Sequence, residues 1–264
     1  MVYSTIIYTL LALGATTLGA ISGMGGGVIM KTVMDLLGQY SAADIGLLSC
    51  ITVFFMSIVS LLKSTRGTGT QNVSAAGAVL LGTGAVTGGF IGQFLFEKLC
   101  TAVNDNGLVT VVQNAVLLVI ICVVFVYMLN SEKVKNLSFR HWSIYAATGI
   151  FLGCMSSFLG IGGGPINVAA LMFLFAFPIK TATFVSIVII LFAQISKLAT
   201  VAFSTGFSVY DLRLAPFMIC AAIAGGFLGT WIKNKVRSKT VTRLFNAVQV
   251  LITIICVLNI VKSV

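Results

Sequence analysis

Charge is what this sequence has least of. Of its 264 residues only 8% are Asp, Glu, Lys or Arg, against roughly 25% in an ordinary soluble domain. Apolar residues make up 58%, and the mean hydropathy is +1.10. A soluble fold needs a polar coat that so few charges cannot supply, and a disordered chain needs the opposite composition. Negative charge is scarcest of all, with six acidic residues against sixteen basic ones and a net charge of +10. In a soluble chain that surplus would point to nucleic acid. Here the basic residues sit mostly in short linkers between apolar tracts, the pattern that orients membrane proteins, so no nucleic-acid partner is expected.

Reactive constellations are also missing. There is no Walker A sequence, no GxSxG, no HExxH and no paired cysteine motif, which argues against an enzyme, against ATP-driven pumping and against any metal or cofactor. The one histidine, His141, stands beside Arg140 in a linker and reads as an interfacial residue. Cys50, Cys122, Cys154, Cys220 and Cys256 lie inside apolar tracts without ligand or redox spacing, as packing residues do. All six acidic residues fall near segment ends, so no proton relay of the intramembrane kind is visible. The first apolar tract has neither a basic leader nor an A-x-A ending. It is expected to be a retained helix rather than a signal peptide, with no soluble domain at either end.

What the chain has instead is apolar runs from end to end. Ten pieces stand between polar breaks, at 4–22, 28–40, 43–62, 73–96, 108–129, 142–158, 165–177, 182–202, 212–232 and 245–261. The expected fold is an all-α polytopic membrane protein of about ten helical segments. Eight pieces reach, or nearly reach, the length that crosses about 30 Å of hydrocarbon. The pieces at 28–40 and 165–177 span only about 20 Å and read as half-helices, short spans or arms of re-entrant hairpins. Ser41 and Asp44 fit a capping box, Asp211 is placed to cap the ninth piece, and Arg66 to Asn72 is a polar loop.

Both short pieces follow the same glycine run. Gly23-Met24-Gly25-Gly26-Gly27-Val28 is matched by Gly160-Ile161-Gly162-Gly163-Gly164-Pro165, 137 residues on. The same separation relates Gly88-Gly89-Phe90-Ile91-Gly92 to Gly225-Gly226-Phe227-Leu228-Gly229. Two repeats are expected, at 1–130 and 141–264, joined by a linker at 131–140. In the first, Lys63 and Arg66 precede the second glycine motif and Glu97, Lys98 and Asp105 follow it. In the second, basic residues follow it, from Lys233 to Arg243. Under the positive-inside rule the repeats are therefore inverted, with a cytoplasmic linker and an odd number of crossings in each. That number is five if the short pieces span and three if they re-enter. Inverted repeats are a usual architecture of secondary transporters.

The glycine runs also carry the chemistry. A helix that starts after a glycine turn presents free N–H groups and the positive end of its dipole, an anion site without charged side chains. Gly25, Gly26, Gly27 and Val28 form one such start, and Gly162, Gly163 and Gly164 the other. The alternative is close helix packing through small residues. Ser22 and Ser157 precede the turns, Asn167 lies one turn into the second short helix, and Lys31 one turn into the first. Gln194 and Lys197 share a helix face and match Ser57 and Ser60 under the 137-residue offset. Lys197 reads as a substrate or pathway contact, as a lysine that snorkels to the interface, or as half of a structural pair with Gln194. Gln113, Asn114, Asn246 and Gln249 rank behind these, as interhelical bonds.

The run Gly19-Ala20-Ile21-Ser22-Gly23-Met24-Gly25-Gly26-Gly27 and its partner Gly153 to Pro165 resemble the G-x-x-x-G-x-G-G-G pattern of the sulfite exporter TauE/SafE family, also called the 4-toluene sulfonate uptake permease family. The resemblance covers essentially the whole chain, and departs from the pattern at Val28, which stands where the second motif has Pro165. It implies a multi-pass protein of the prokaryotic cytoplasmic membrane that transports sulfite, sulfonates or related organic anions. Expected partners are a small anionic substrate and the lipid bilayer. Proton coupling and a homodimer stay open. The rival readings are an importer of another sulfur oxyanion or a small carboxylate, and a non-transporting membrane assembly subunit.

Overall fold

The computed structural model describes residues 2–64, 75–103, 106–131, 133–160 and 162–263. The polar loop from Arg66 to Asn72, Asp105 and Ile161 lie outside the described residues. Those described form α1 (Val2–Ser22), α2 (Gly27–Leu37), α3 (Ala42–Ser64), α4 (Ala75–Val103), α5 (Asn106–Asn130), α6 (Trp142–Leu159), α7 (Gly164–Phe175), α8 (Ile179–Phe203), α9 (Ala215–Lys235) and α10 (Ser238–Ser263), with a short 3-10 turn at Phe207–Val209. All but α2 and α7 are long and apolar enough to cross a membrane, eight in number. Large apolar side chains such as Leu10, Val119, Val123 and Leu129 point outward. Such a coat is at home only in hydrocarbon, and the chain is an all-α polytopic membrane protein.

Local chemistry sets the short elements. α2 starts from Gly26 in the left-handed region (φ 72°) and stops at Gly38 (φ 66°), whose N–H donates to Met34 O. α7 starts from Gly163 (φ 76°), has Pro165 in its first turn and stops at Ala176 (φ 53°). Ahead of α3, Ser41 Oγ accepts the Asp44 N–H at 3.1 Å and its hydroxyl donates to Asp44 Oδ2 at 2.7 Å. Asp211 does not cap α9, which begins at Ala215 with Leu214 as its cap. Three residues stand between Asp211 and α9, so its carboxylate instead accepts the Arg213 N–H at 3.2 Å. Its own N–H donates to Asp44 Oδ1 at 3.1 Å, tying the approaches to α3 and α9 together.

The short helices turn back. The Tyr8 hydroxyl donates to Gln39 Oε1 at 3.0 Å, so the end of α2 lies beside the start of α1. Tyr145, near the start of α6, stacks on Phe175 at the end of α7 with ring centroids 4.3 Å apart. Leu137 and Phe139 donate N–H bonds to Phe173 O and Leu174 O at 2.8 and 3.1 Å, satisfying carbonyls that the end of α7 leaves free. Each pair, α1–α2 and α6–α7, is thus a hairpin that returns to the side where it began.

Helix pairs come in exchanged couples. α4 lies along α6 and α1 along α9, while α3 and α8 pack on one another and on α9 and α4 respectively. Small residues permit the two long seams. A methyl on Gly84 would lie 2.6 Å from Ala146 O, and methyls on Gly88 and Gly92 would strike Ile150 O and Cys154 O. On the other seam, methyls on Gly225 and Gly229 would strike Thr16 Oγ1 and Thr17 O.

Candidate functional site

The two glycine turns have one backbone. Gly23, Gly25 and Gly26 have φ of 76°, 76° and 72°, and their counterparts Gly160, Gly162 and Gly163 have 66°, 77° and 76°. These are conformations that side chains resist. In α2, Met30 is the first amide to close on the preceding turn, at 3.0 Å from Gly26 O, which leaves Gly27, Val28 and Ile29 outside the ladder. In α7 the first is Asn167, 3.4 Å from Gly163 O. Ahead of it only Gly164 and Ile166 carry an N–H, because Pro165 has none.

Both turns reach the middle of the bundle. A methyl on Gly25 would sit 3.0 Å from Ile190 Cδ1 and 3.4 Å from Val53 Cγ1. One on Gly162 would sit 3.5 and 3.6 Å from the same two residues. Val53 and Ile190 are themselves 137 residues apart. A methyl on Gly164 would lie 2.5 Å from Val28 Cγ2, so the Val28 side chain lies close against the start of α7.

Charge gathers on one side of this contact. Lys197 is buried rather than snorkelling, and its Nζ donates to Gly46 O at 3.2 Å. A methyl on Gly160 would lie 3.5 Å from Lys197 Nζ and 3.7 Å from Lys31 Cε, so lysines from α8 and α2 flank the second glycine turn together. Lys31 pairs with Asp35 at 3.2 Å, their side chains 3% and 1% exposed. Among the described residues no carboxylate lies within ion-pair reach of Lys197. Gln194 belongs to the same group, with Nε2 3.0 Å from where a Gly162 methyl would stand.

Unpartnered polar groups surround the second turn. Asn167 is fully buried, neither end of its amide has a partner, and both ends lie 2.7 Å from a Gly163 methyl position. The hydroxyls of Ser156, Ser157 and Ser196 are buried without partners, and those of Ser157 and Ser196 both face Gly89. The sequence-predicted residues of the first turn are quieter. Ser22 and Ser57 donate to Leu18 O and Val53 O of their own helices, each at 2.7 Å, a common habit of serine in membrane helices. Gln113 donates to Phe158 O at 2.8 Å, an interhelical bond as expected.

Asp35, Gly46 and Ser196 were not legible as site residues. Asp35 sits near a segment end, where Leu37 to Gln39 are exposed, but its own side chain turns inward and is 1% exposed. Asn114 Nδ2 reaches Asp35 Oδ2 at 3.4 Å, Asn259 Nδ2 reaches Asn114 Oδ1 at 3.4 Å, and Asp35 Oδ1 has no partner. On α9, Lys233 is also buried and unpartnered.

Two open recesses are walled by helix ends and linkers. One, of about 790 Å³, is lined by residues including Ala76, Leu80, Arg140, Trp142 and Phe177. The other, of about 400 Å³, is lined by Thr5, Tyr40, Arg213 and Phe217 among others. Thr5, Tyr40, Arg213 and Phe217 stand 137 residues from Trp142, Phe177, Ala76 and Leu80, so the recesses occupy equivalent positions in the two halves. Burial and the Asp211 carboxylate hold the Tyr40 hydroxyl above its ordinary pKa.

The family model described as sulfite exporter TauE/SafE matches residues 8–255, and the chain belongs to that family. It is similar to the probable membrane transporter protein YunE of Bacillus subtilis, 25% identical over 94% of this chain and 96% of the relative. It is also similar to the probable membrane transporter protein MJ0441 of Methanocaldococcus jannaschii, 22% identical over 84% of each. No solved structure matches the chain.

Proposed function

We propose that this TauE/SafE family member is a secondary transporter that carries sulfite or a small organosulfonate across the cytoplasmic membrane. One observation carries the reading: two buried lysines, Lys31 and Lys197, flank the Gly160 turn, and of the two only Lys31 is paired, with Asp35. A buried centre with surplus positive charge is costly unless an anion completes it. The α7 amides, Asn167, Ser157 and Gln194 supply donors of the kind an oxyanion takes. Gly162, Gly163 and Gly164 keep side chains out of its approach.

The same reading makes 1–130 and 141–264 inverted repeats around a cytoplasmic linker at 131–140. The returning hairpins support it, because a pair that ends where it began adds an even number of crossings. Three further helices then make each half odd, whether the short helices span or re-enter. The basic residues Lys133, Lys135, Arg140 and Lys180 fall on the side of the larger recess, as an inward-facing surface requires. Alternating access would open one recess and close its equivalent, with Lys31 and Lys197 between them.

Counterflow in proteoliposomes tests this, with labelled sulfite, methanesulfonate, thiosulfate and small carboxylates. Saturable exchange of a sulfur oxyanion is expected, weakened in Lys197→Met. The absence of saturable exchange across the panel overturns the transporter reading.

A further inference from the structure

We infer that Asp35 is the carboxylate through which this protein couples anion movement to a proton, by competing with the anion for Lys31. The inference rests on the anion site proposed above and concerns a residue that site does not include. Asp35 lies one turn along α2 from Lys31, which in turn lies one turn from the start of the helix. The lysine therefore stands between the glycine turns and the carboxylate. Asp35 Oδ2 takes both of the carboxylate's contacts, Lys31 Nζ at 3.2 Å and Asn114 Nδ2 at 3.4 Å, and Oδ1 takes none. The crevice around the pair, walled by Thr32, Gln113, Leu117 and Leu159, is too small to admit water.

Those contacts make the pair a switch rather than a strut. An anion arriving beside Gly160 draws the Lys31 ammonium towards itself. Asp35 then keeps only a long amide contact in a dry crevice, where an ionised carboxylate is strongly disfavoured. It takes up one proton from the aqueous phase, on a carboxyl oxygen. When the anion leaves, Lys31 returns and the proton is released. One proton therefore travels with each anion, and a singly charged sulfonate moves without net charge. The net direction follows the sum of the two gradients.

Few ionisable groups share the surroundings of Asp35. On its own helix there is Lys31, beside Lys197 of α8. From α5 come Asn114 and Gln113, neither of which ionises. From α10 come Asn259 and Cys256, the thiol within electrostatic range of Asp35, and Lys262, which donates to Leu36 O at 2.8 Å. From α1 and α3 come Tyr8, committed to Gln39, and Ser49, which donates to Gly27 O at 3.4 Å.

Purified protein tests the inference directly. Methanesulfonate and thiosulfate are suitable probes, because neither binds a proton near neutral pH. Adding whichever of them exchanges in counterflow to wild-type protein in weak buffer is expected to take up close to one proton per anion bound. Over the pH range in which binding takes up one proton, anion affinity is expected to fall about tenfold per unit rise in pH. In Asp35→Asn, exchange should persist, affinity should lose its pH dependence and rise several-fold, and net methanesulfonate flux should respond to membrane potential. Asp35→Glu should restore proton uptake. Anion binding without proton uptake in the wild type overturns this inference and leaves the anion site standing. If Asp35→Asn does not fold, the wild-type proton count decides alone. Binding of neither probe, with no exchange across the wider panel, overturns the anion site and this inference together.

Discussion

The hairpins α1–α2 and α6–α7 are the same object in backbone and different objects in chemistry. Their glycines share left-handed conformations position by position, and both hairpins return to their own side. Yet α2 carries Lys31, Thr32 and Asp35, where the equivalent positions of α7 hold Val168, Ala169 and Met172. α7 opens with Pro165 and keeps Asn167 unpartnered, where α2 has Val28 and Met30. The two hairpins share a backbone frame, and only the first carries charge. The first hairpin brings the cation, and the second brings the empty hydrogen-bonding groups.

The comparison breaks outright if the halves are not inverted. Single cysteines replacing Lys98 and Lys239, both exposed, should be labelled from opposite sides of the membrane in a background without native cysteines. Labelling of both from one side would end the inverted reading.

Lys197→Met should have the largest effect on binding. It keeps most of the apolar stem and removes the surplus charge, so anion affinity should fall on the order of 30- to 100-fold, about 2–3 kcal/mol. Calorimetry with methanesulfonate or sulfite reads this, and unchanged affinity would return Lys197 to a packing role.

Alanine in the two turns should separate the hairpins. A methyl on Gly26 strikes the Ala15 carbonyl, which is backbone and cannot step aside, so Gly26→Ala should lose about 2–4 kcal/mol of stability. A methyl on Gly163 meets the Asn167 side chain at 2.7 Å, which can rotate. Gly163→Ala should therefore lose less stability and lose affinity about tenfold. Melting temperature and affinity measured on both variants would show the difference. Equal losses in both quantities would make the turns interchangeable.

The smallest effect should come from making α2 start as α7 does. Val28 donates no bond to the α2 ladder, so Val28→Pro should change stability by only about 0.4–1 kcal/mol. A loss of several kcal/mol would show that the contact of Val28 with Gly164 holds the two turns together.

Much of the frame was legible in the sequence. The piece at 28–40 became α2 at Gly27–Leu37, and the 137-residue offset became matched φ values, because glycine runs and apolar lengths act locally. The site was legible only in parts. Gln194 and Lys197 stood out as polar residues in an apolar run. Their meeting with Lys31 and Gly160 joins three segments far apart in sequence, and no local pattern encodes it. Asp35 was passed over because position along a tract was taken for depth in the membrane. That holds for a spanning helix and fails for an eleven-residue one whose Asp35 side chain turns inward. Asp211 misled in the same way, since a residue suited to capping lies too far from the helix to cap it.

The seams between halves also set a timetable for biogenesis. α4 meets α6 soon after both are made, but the face of α1 that fits α9 must wait for Ala215 and beyond to leave the ribosome. At synthesis rates of about 5–20 residues per second that wait is on the order of 10–40 s. Throughout it α1 lies in the bilayer with Thr16, Thr17 and Ala20 turned towards lipid, short of the glycines that will cover them. The nascent protein is therefore most exposed to quality-control proteases at its oldest helix. Substitutions at Gly225 or Gly229 should register first as lower abundance in the membrane, before any change in transport per molecule.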